Sequence, residues 1–461
     1  MSIAAPGRAA YVSLLGTTTL GTLASTLMSA PINDIGADLG AAPSQMVLAV
    51  SAFTVAMVAV APVAGWACTR IGATRFLVLS LVLMVLAQVA AASATGLAGL
   101  VAARAVQGVA CSGIPPAIHQ GLLHFWPEMR RRSMAAWASA IGVGQAVGPP
   151  AGGLVSDAVG WRGLFLVYAL VCAAGLLCLL RFVPAVPAVQ QPVEVGGTAQ
   201  LVAGAGLLVV GMTWAGQGGA PGPSAALVGA GLALLGWALR PRRPRGHLLG
   251  RGVLRDPAYL VSTAAAAAGM AAMGITLVSV PLYLGRDVGL TAGAIGAVTA
   301  AVAVGMVLFA PVAARVARRV GAGTTLAGGL VALVVVPLAV ATLEGVATGP
   351  GVVLPLAALL LLLGCAIATV QSMAAVVLLG SVGASSGLAT GVHNTGRFTG
   401  LATGYAWVAV VYSAGSPALV HTGTAVAAAA TLVLAAAARA RLPQSVTSGG
   451  VGRASSESAS T

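Results

Sequence analysis

Apolar runs of about twenty residues recur along the whole chain, and few folds can absorb them. Cutting at the Gly/Pro and charged clusters leaves fourteen: 11–32, 44–67, 75–93, 97–121, 133–155, 160–182, 199–216, 224–240, 257–284, 290–314, 323–343, 351–375, 387–412 and 417–438. About 20 mostly apolar residues is the length that crosses the hydrocarbon core of a bilayer. Only 7% of the 461 residues are charged and the mean hydropathy is +0.99. A soluble domain carries about 25% charged residues, so a soluble core does not account for this composition. The first run follows Arg8 and is long for the core of a signal peptide, so it counts as the first span. The expectation is an all-α polytopic membrane protein with 14 transmembrane helices.

The placement of charge tests that count. The net charge of +14 comes from 23 arginines and no lysine. With the N-terminus in the cytoplasm and the spans alternating, 19 of the 23 fall on the inner side, among them Arg70, Arg75, Arg130 to Arg132, Arg181, Arg251, Arg255, Arg315, Arg318 and Arg319. Only Arg162 and Arg286 fall outside, and Arg104 and Arg397 lie within spans. Cytoplasmic loops carry such an excess, so both termini are expected in the cytoplasm of a multi-pass protein of the cytoplasmic membrane. The run from Arg240 to Arg245 then reads as an orientation signal meeting anionic lipid, and no nucleic-acid partner is expected. The five cysteines (Cys68, Cys111, Cys172, Cys178, Cys365) form no metal-like spacing, and neither a disulfide nor a cofactor is expected.

The chain also repeats itself. Pro62-Val-Ala…Arg70-Ile-Gly-Ala73 matches Pro311-Val-Ala…Arg319-Val-Gly-Ala322 at identical spacing and in the same direction through the membrane. This predicts two like-oriented six-helix bundles, 1–183 and 257–440, with an inserted pair of helices in 184–256 and a disordered cytoplasmic tail at 441–461. Within the fifth span, Gly144, Gly148 and Gly152 recur every four residues and share one helix face, where a neighbouring helix can come to backbone contact. Pro149 and Pro150 remove two backbone donors from the same stretch and bend it.

That stretch resembles the antiporter signature of drug exporters in the major facilitator superfamily, a Gly-Pro (Gly148, Pro149) followed two residues later by Gly-Gly (Gly152, Gly153). Three further segments resemble the same family. Gly65 to Arg75 is similar to the loop after helix 2, with Arg70, Gly72 and Arg75 in place but Thr69 where the family has an acid, which puts the family's cytoplasmic latch in doubt. Arg104-Ala-Val-Gln107-Gly108 resembles the helix 4 motif whose arginine is tied to proton coupling, and Trp161-Arg162 with Phe165 resembles the opening of helix 6. The stretch from Ser386 to Gly404 resembles helix 13 of the fourteen-helix drug:proton antiporter branch. A further departure is Thr22, which stands where that branch often carries an aspartate nine residues before a proline, here Pro31.

Function is expected to rest on the few polar groups inside the spans. A charge in mid-span costs about 2.5–3.5 kcal/mol on insertion scales and is usually functional or paired. Arg104, with Gln107 and Cys111 on its face, is therefore the leading candidate; a structural bond to a backbone carbonyl is the alternative. His393 and Arg397 share a face of span 13, and His393 is a proton carrier or a satisfied hydrogen-bonder. Asp34 is a second coupling candidate, or an outer cap. Thr18, Thr22, Ser25 and Ser29 line one face of span 1, as a cavity wall or as hydroxyls bonded to their own backbone. None of the nine acids falls in mid-span, and a buried cation needs a counter-charge, so a neutral or anionic lipophilic partner is favoured.

The resemblance and the polar groups together imply a proton-coupled exporter of lipophilic small molecules, such as antibiotics or secondary metabolites, acting as a monomer by alternating access. The alternatives are a nutrient symporter or uniporter of the same fold, a membrane-embedded enzyme, or a transporter-derived sensor. Enzymes need convergent acids, bases or metal ligands, and His119 and His124 have no nearby third ligand in the sequence.

Overall fold

The computed structural model describes residues 6–188, 195–216, 221–238, 251–346, 349–382, 387–416 and 419–439. The arginine run from Arg240 to Arg245 and the tail at 441–461 lie outside the described residues. Sixteen α-helices follow one another: α1 (Arg8–Thr26), α2 (Ile32–Asp38), α3 (Pro43–Ile71), α4 (Ala73–Ala92), α5 (Leu97–Ser112), α6 (Ile114–Phe125), α7 (Arg130–Phe182), α8 (Val195–Gly216), α9 (Pro221–Ala238), α10 (Arg251–Arg255), α11 (Pro257–Arg286), α12 (Ala292–Val320), α13 (Ala322–Val346), α14 (Val353–Leu379), α15 (Gly387–Ser413) and α16 (Thr422–Arg439). No strand occurs among the described residues. Eight helical stretches there are long and apolar enough to cross a membrane, and two shorter apolar helices join them.

These helices coincide with the fourteen predicted spans, with two differences. Span 1 ends at Thr26, not near residue 32, and a turn leads into the separate short helix α2. Span 4 is broken into α5 and α6 at Gly113, after which Pro115 and Pro116 occupy the first turn of α6, where a missing backbone donor costs nothing. Spans 5 and 6 remain two, as predicted: they follow without a loop in α7, whose 53 residues fall into two helices meeting at the non-helical Gly160. A straight helix of that length is about 80 Å, far more than the roughly 30 Å of hydrocarbon. The chain turns at Gly160, whose φ of 73° is open to glycine at little cost.

The repeat is visible in the backbone. Gly72 joins α3 to α4 with φ 95° and ψ 135°, and Gly321 joins α12 to α13 with φ 88° and ψ 149°. Two further contacts recur. Gly108 in α5 presses on the carbonyl of Phe53 in α3, and Gly364 in α14 presses on that of Val302 in α12. Phe53 precedes Gly72 by the same 19 residues as Val302 precedes Gly321. Likewise Gly144, Gly148 and Gly152 of α7 lie against α1, while Gly396, Gly400 and Gly404 of α15 lie against α11.

The core follows from this packing. One buried apolar cluster runs from Met28 and Ile32 through Met46, Trp161 and Phe165 to α11, α12, α14 and α15. A second unites α1, α3, α4, α5, α6 and α7 around Leu14, Leu77, Ile118 and Tyr168. The inserted pair α8 and α9 pack on each other, with α8 against α3 and α15.

Candidate functional site

Arg104 lies in α5 with 1% of its surface exposed. Its Nε donates to the carbonyl of Ala49 in α3 at 3.2 Å, and its Nη1 to that of Ala24 in α1 at 3.0 Å and to Gln107 Oε1 at 2.7 Å. Its guanidinium stands 4.7 Å above the Phe53 ring, and Nη2 is buried with no hydrogen-bond partner. Gln107 passes the network on, donating to Gln88 Oε1 at 3.0 Å and to the Ala87 carbonyl at 3.3 Å. Cys111 Sγ, on the same face, donates to the Gly21 carbonyl at 3.2 Å, and the Tyr168 hydroxyl donates to that of Leu20. Three side chains from α5 and α7 thus hold α1 by the carbonyls of Leu20, Gly21 and Ala24.

The glycine stretch of α7 meets two helices at once. A Cβ at Gly144 would collide with Thr22, one at Gly148 with Thr26, and one at Gly152 with the carbonyl of Leu27, all in or just after α1. Turning 100° per residue, the next face carries Pro149 and Gly153. Gly153 abuts the Ala292 carbonyl and Gly293 of α12, and Gly296 of α12 abuts the Pro149 carbonyl and Pro150. Thr22 therefore belongs to the packed face of α1. The hydroxyl of Thr22 donates to its own helix at the Thr18 and Thr19 carbonyls (3.1 Å each), and that of Ser25 to the Thr22 carbonyl at 2.6 Å. Thr18 and Ser29 bond in the same way.

Around Asp34 a second group of contacts closes the end of the bundle that carries α2. Asn33 Nδ2 donates to the Pro281 carbonyl of α11 at 2.7 Å. Asp157 Oδ2 accepts from the Gly293 amide at 2.9 Å and from the Thr291 hydroxyl at 3.1 Å. Partial burial, with the nearby Asp157 carboxylate, raises the Asp34 carboxyl above the usual carboxylate range. Asp38 moves the other way: its hydrogen bond from Arg162 holds it low, helped by Trp161 at 3.2 Å.

The loop residues sit at the opposite end. Gly72 is crossed by the segment following α7: a Cβ there would lie 2.5 Å from the Val186 carbonyl. The Thr74 hydroxyl donates to the Pro184 carbonyl at 2.7 Å and accepts from the Val186 amide at 3.2 Å. Thr69, in the acid's place, accepts from Gln120 Nε2 at 2.9 Å. A neutral bond within one repeat stands where the family carries a charge. Arg70 is exposed near the end of α3, Arg75 is exposed in the first turn of α4, and Gly65 is half-buried in the last turns of α3.

In α15, His393 is buried and its Nδ1 lies 3.0 Å from Thr263 Oγ of α11. Arg397 is half-buried, and its Nε has no hydrogen-bond partner. Two turns on, Tyr405 lies within electrostatic reach of Arg104. Trp407 donates to the Val420 carbonyl at 2.9 Å and lines an apolar pocket with Ala215, Ser224 and Val228. Among the described residues no group of three or more His, Cys, Asp or Glu is placed to hold a metal ion.

The structure thus joins Arg104 to Gln107 and Thr22 to Gly144, sets Asp34 within the field of Asp157, and keeps the Gly65–Arg75 loop at the opposite end. Sequence reasoning missed Gln88, Tyr168, Gln120 and the partnership of Asp157 with α12. Gln88 was findable as a rare amide inside an apolar run; the others depend on helix placement.

A bundle of antiparallel apolar spans, built as two repeats around a buried arginine, defines a multi-pass membrane protein of the all-α class. The chain belongs to the Major Facilitator Superfamily, whose family model matches residues 12–405. It is similar to the multidrug export protein EmrB of Haemophilus influenzae, 30% identical over 190 residues, 40% of this chain and 37% of that protein. It is also similar to the putative multidrug resistance protein MdtD of Shigella flexneri, 24% identical over 272 residues, 58% of each. An uncharacterized MFS-type transporter of Mycobacterium tuberculosis is 29% identical over 191 residues, 41% of this chain and 33% of that one. In each case the match spans less than two thirds of the relative's own length.

Proposed function

We propose that this protein is a proton-coupled efflux carrier that exports lipophilic small molecules across the cytoplasmic membrane. The observation that carries the reading is the α7 stretch, packed to backbone contact on α1 by one face and on α12 by the next. A helix so placed can couple the two repeats while excluding water between them. The two multidrug relatives support export rather than uptake. The moving bodies would be 1–183 and 257–440, with 184–256 carrying the inserted pair, rocking about a site near the midplane. Both termini face the cytoplasm on the arginine count.

Arg104 is proposed as the coupling centre and Arg397 as a charge offered to substrate. The acids sit at span ends, so neutral or anionic amphiphiles suit the interior better than permanent cations. The carrier is proposed to work as a monomer, without a cofactor. Its test uses inside-out vesicles made acidic inside, challenged with neutral, anionic and cationic amphiphiles while a fluorescent probe follows the gradient. Dissipation by neutral or anionic compounds, abolished in Arg104→Ala, is the expected result. Dissipation by cations alone overturns the charge argument, and a protein that no compound discharges removes proton-coupled export.

A further inference from the structure

Across the seam between the repeats, one carboxylate does a helix cap's work from outside the helix. Helix α12 is preceded by Thr291, whose hydroxyl accepts from the Ala294 amide at 3.4 Å, an ordinary N-cap. The first amides of a helix lack intrahelical partners, and its N-terminus carries partial positive charge. Asp157, at the far end of the glycine stretch in α7, serves both: its Oδ2 takes the Gly293 amide at 2.9 Å and the Thr291 hydroxyl at 3.1 Å. Gly293 has no side chain, and a Cβ there would collide with that oxygen. One helical turn before Asp157, Gly153 touches the Ala292 carbonyl, and Asn33 bridges to the Pro281 carbonyl beside them.

We propose that Asp157 is a positioning residue of the transport cycle, its carboxylate holding the α2 end of the carrier shut by capping α12 across the two repeats. Every partner it uses belongs to α12 or the residue before it. If the repeats rock apart at this end, as the export reading on which this inference rests requires, both bonds break together and three polar groups must find water. The contact thus sets the balance between the closed form and the form open at this end, without touching substrate. An amide in place of the carboxylate keeps an acceptor but gives up the charge that complements the helix terminus.

The test reads conformation and needs no substrate. A reporter cysteine replaces Ile295, one turn into α12 and 1% exposed, and a second reporter replaces Leu356 of α14, which is 0% exposed and away from the seam. A membrane-impermeant maleimide is added from outside to cells carrying the full chain. Asp157→Ala is expected to raise labelling at position 295 about tenfold, equivalent to about 1.4 kcal/mol, and to leave position 356 unchanged. Asp157→Asn should fall between the variant and the parent. Unchanged labelling at 295 in a well-inserted Asp157→Ala overturns the proposal, and so does an equal rise at both reporters, which marks a folding defect. Raised labelling at 295 alone, in a carrier that discharges no proton gradient, leaves the role of Asp157 standing and removes the coupled-export reading instead.

Discussion

Arg104 and Leu360 occupy the same place in the two repeats. Each lies four residues before the glycine, Gly108 or Gly364, that presses on the carbonyl of Phe53 or Val302 in its own repeat. Both are buried, at 1% and 0% exposure. The residue three further on is Gln107 in one and Leu363 in the other, again both at 0%. The fold therefore packs this position with leucine when nothing more is asked of it. An arginine there ties α5 to the carbonyls of Ala24 and Ala49 and still leaves one nitrogen unpaired, the nitrogen that the proposed coupling role would use.

The first prediction tests that asymmetry. Arg104→Leu with Gln107→Leu copies the Leu360 and Leu363 arrangement and removes a buried charge. Removing both partners avoids stranding Gln107, which would cost about 1–3 kcal/mol. The double variant should melt in detergent at or above the parent's temperature, yet transport at least tenfold more slowly. A double variant that fails to insert would show that Arg104 is structural.

The glycine stretch gives the second. Gly148→Leu should insert but transport poorly, because a side chain there meets Thr26. The milder Gly148→Ala should cost about 1–3 kcal/mol through overpacking. Adding Thr26→Gly removes the colliding side chain, at about 1 kcal/mol for glycine in a helix, and should restore transport. Failure of that rescue, read as drug efflux at matched expression, would sever the stretch from α1.

Gly72 and Gly321 give a paired measurement. Both have positive φ, so alanine is strained at either, by about 1–3 kcal/mol. Only at Gly72 is the space also filled, by the Val186 carbonyl, while nothing lies within 4 Å at Gly321. Gly72→Ala should therefore lower the melting temperature more than Gly321→Ala. Equal losses would mean that the segment following α7 does not constrain the loop.

Asp34 carries a pH prediction. Its carboxyl is raised by burial and by Asp157, so the folded protein disfavours the charged form. Stability is then lost as pH climbs from the usual carboxylate range through the raised value, and the cost is fully present above it. Asp34→Asn never bears that cost. Its melting temperature should exceed the parent's at pH 7 and converge with it in acid. A constant difference across the series would count against the assignment.

Much of this molecule was legible before any helix was placed. The spans could be counted because a bilayer demands about twenty apolar residues of each and arginine marks one side. The repeat from Pro62 to Ala73 and Pro311 to Ala322 announced the paired glycine junctions. Arg104, Gln107 and Cys111 shared a face by spacing alone, and in the structure Arg104 bonds Gln107 while Cys111 bonds the Gly21 carbonyl of α1. Local backbone preference explains the misplaced end of span 1: its composition stays apolar past Thr26, and only the backbone shows where the chain turns toward α2.

What a sequence read along one dimension determined here is the class: apolar periodicity, charge asymmetry and glycine spacing are local, and a membrane permits only one kind of answer to them. What only the tertiary structure decided is partnership. That Gly148 meets Thr26, that Gln120 answers Thr69, and that Asp157 caps a helix beginning 135 residues later depends on which helices adjoin and at what height. Those contacts are made between faces, and no spacing within a single helix encodes the face of another.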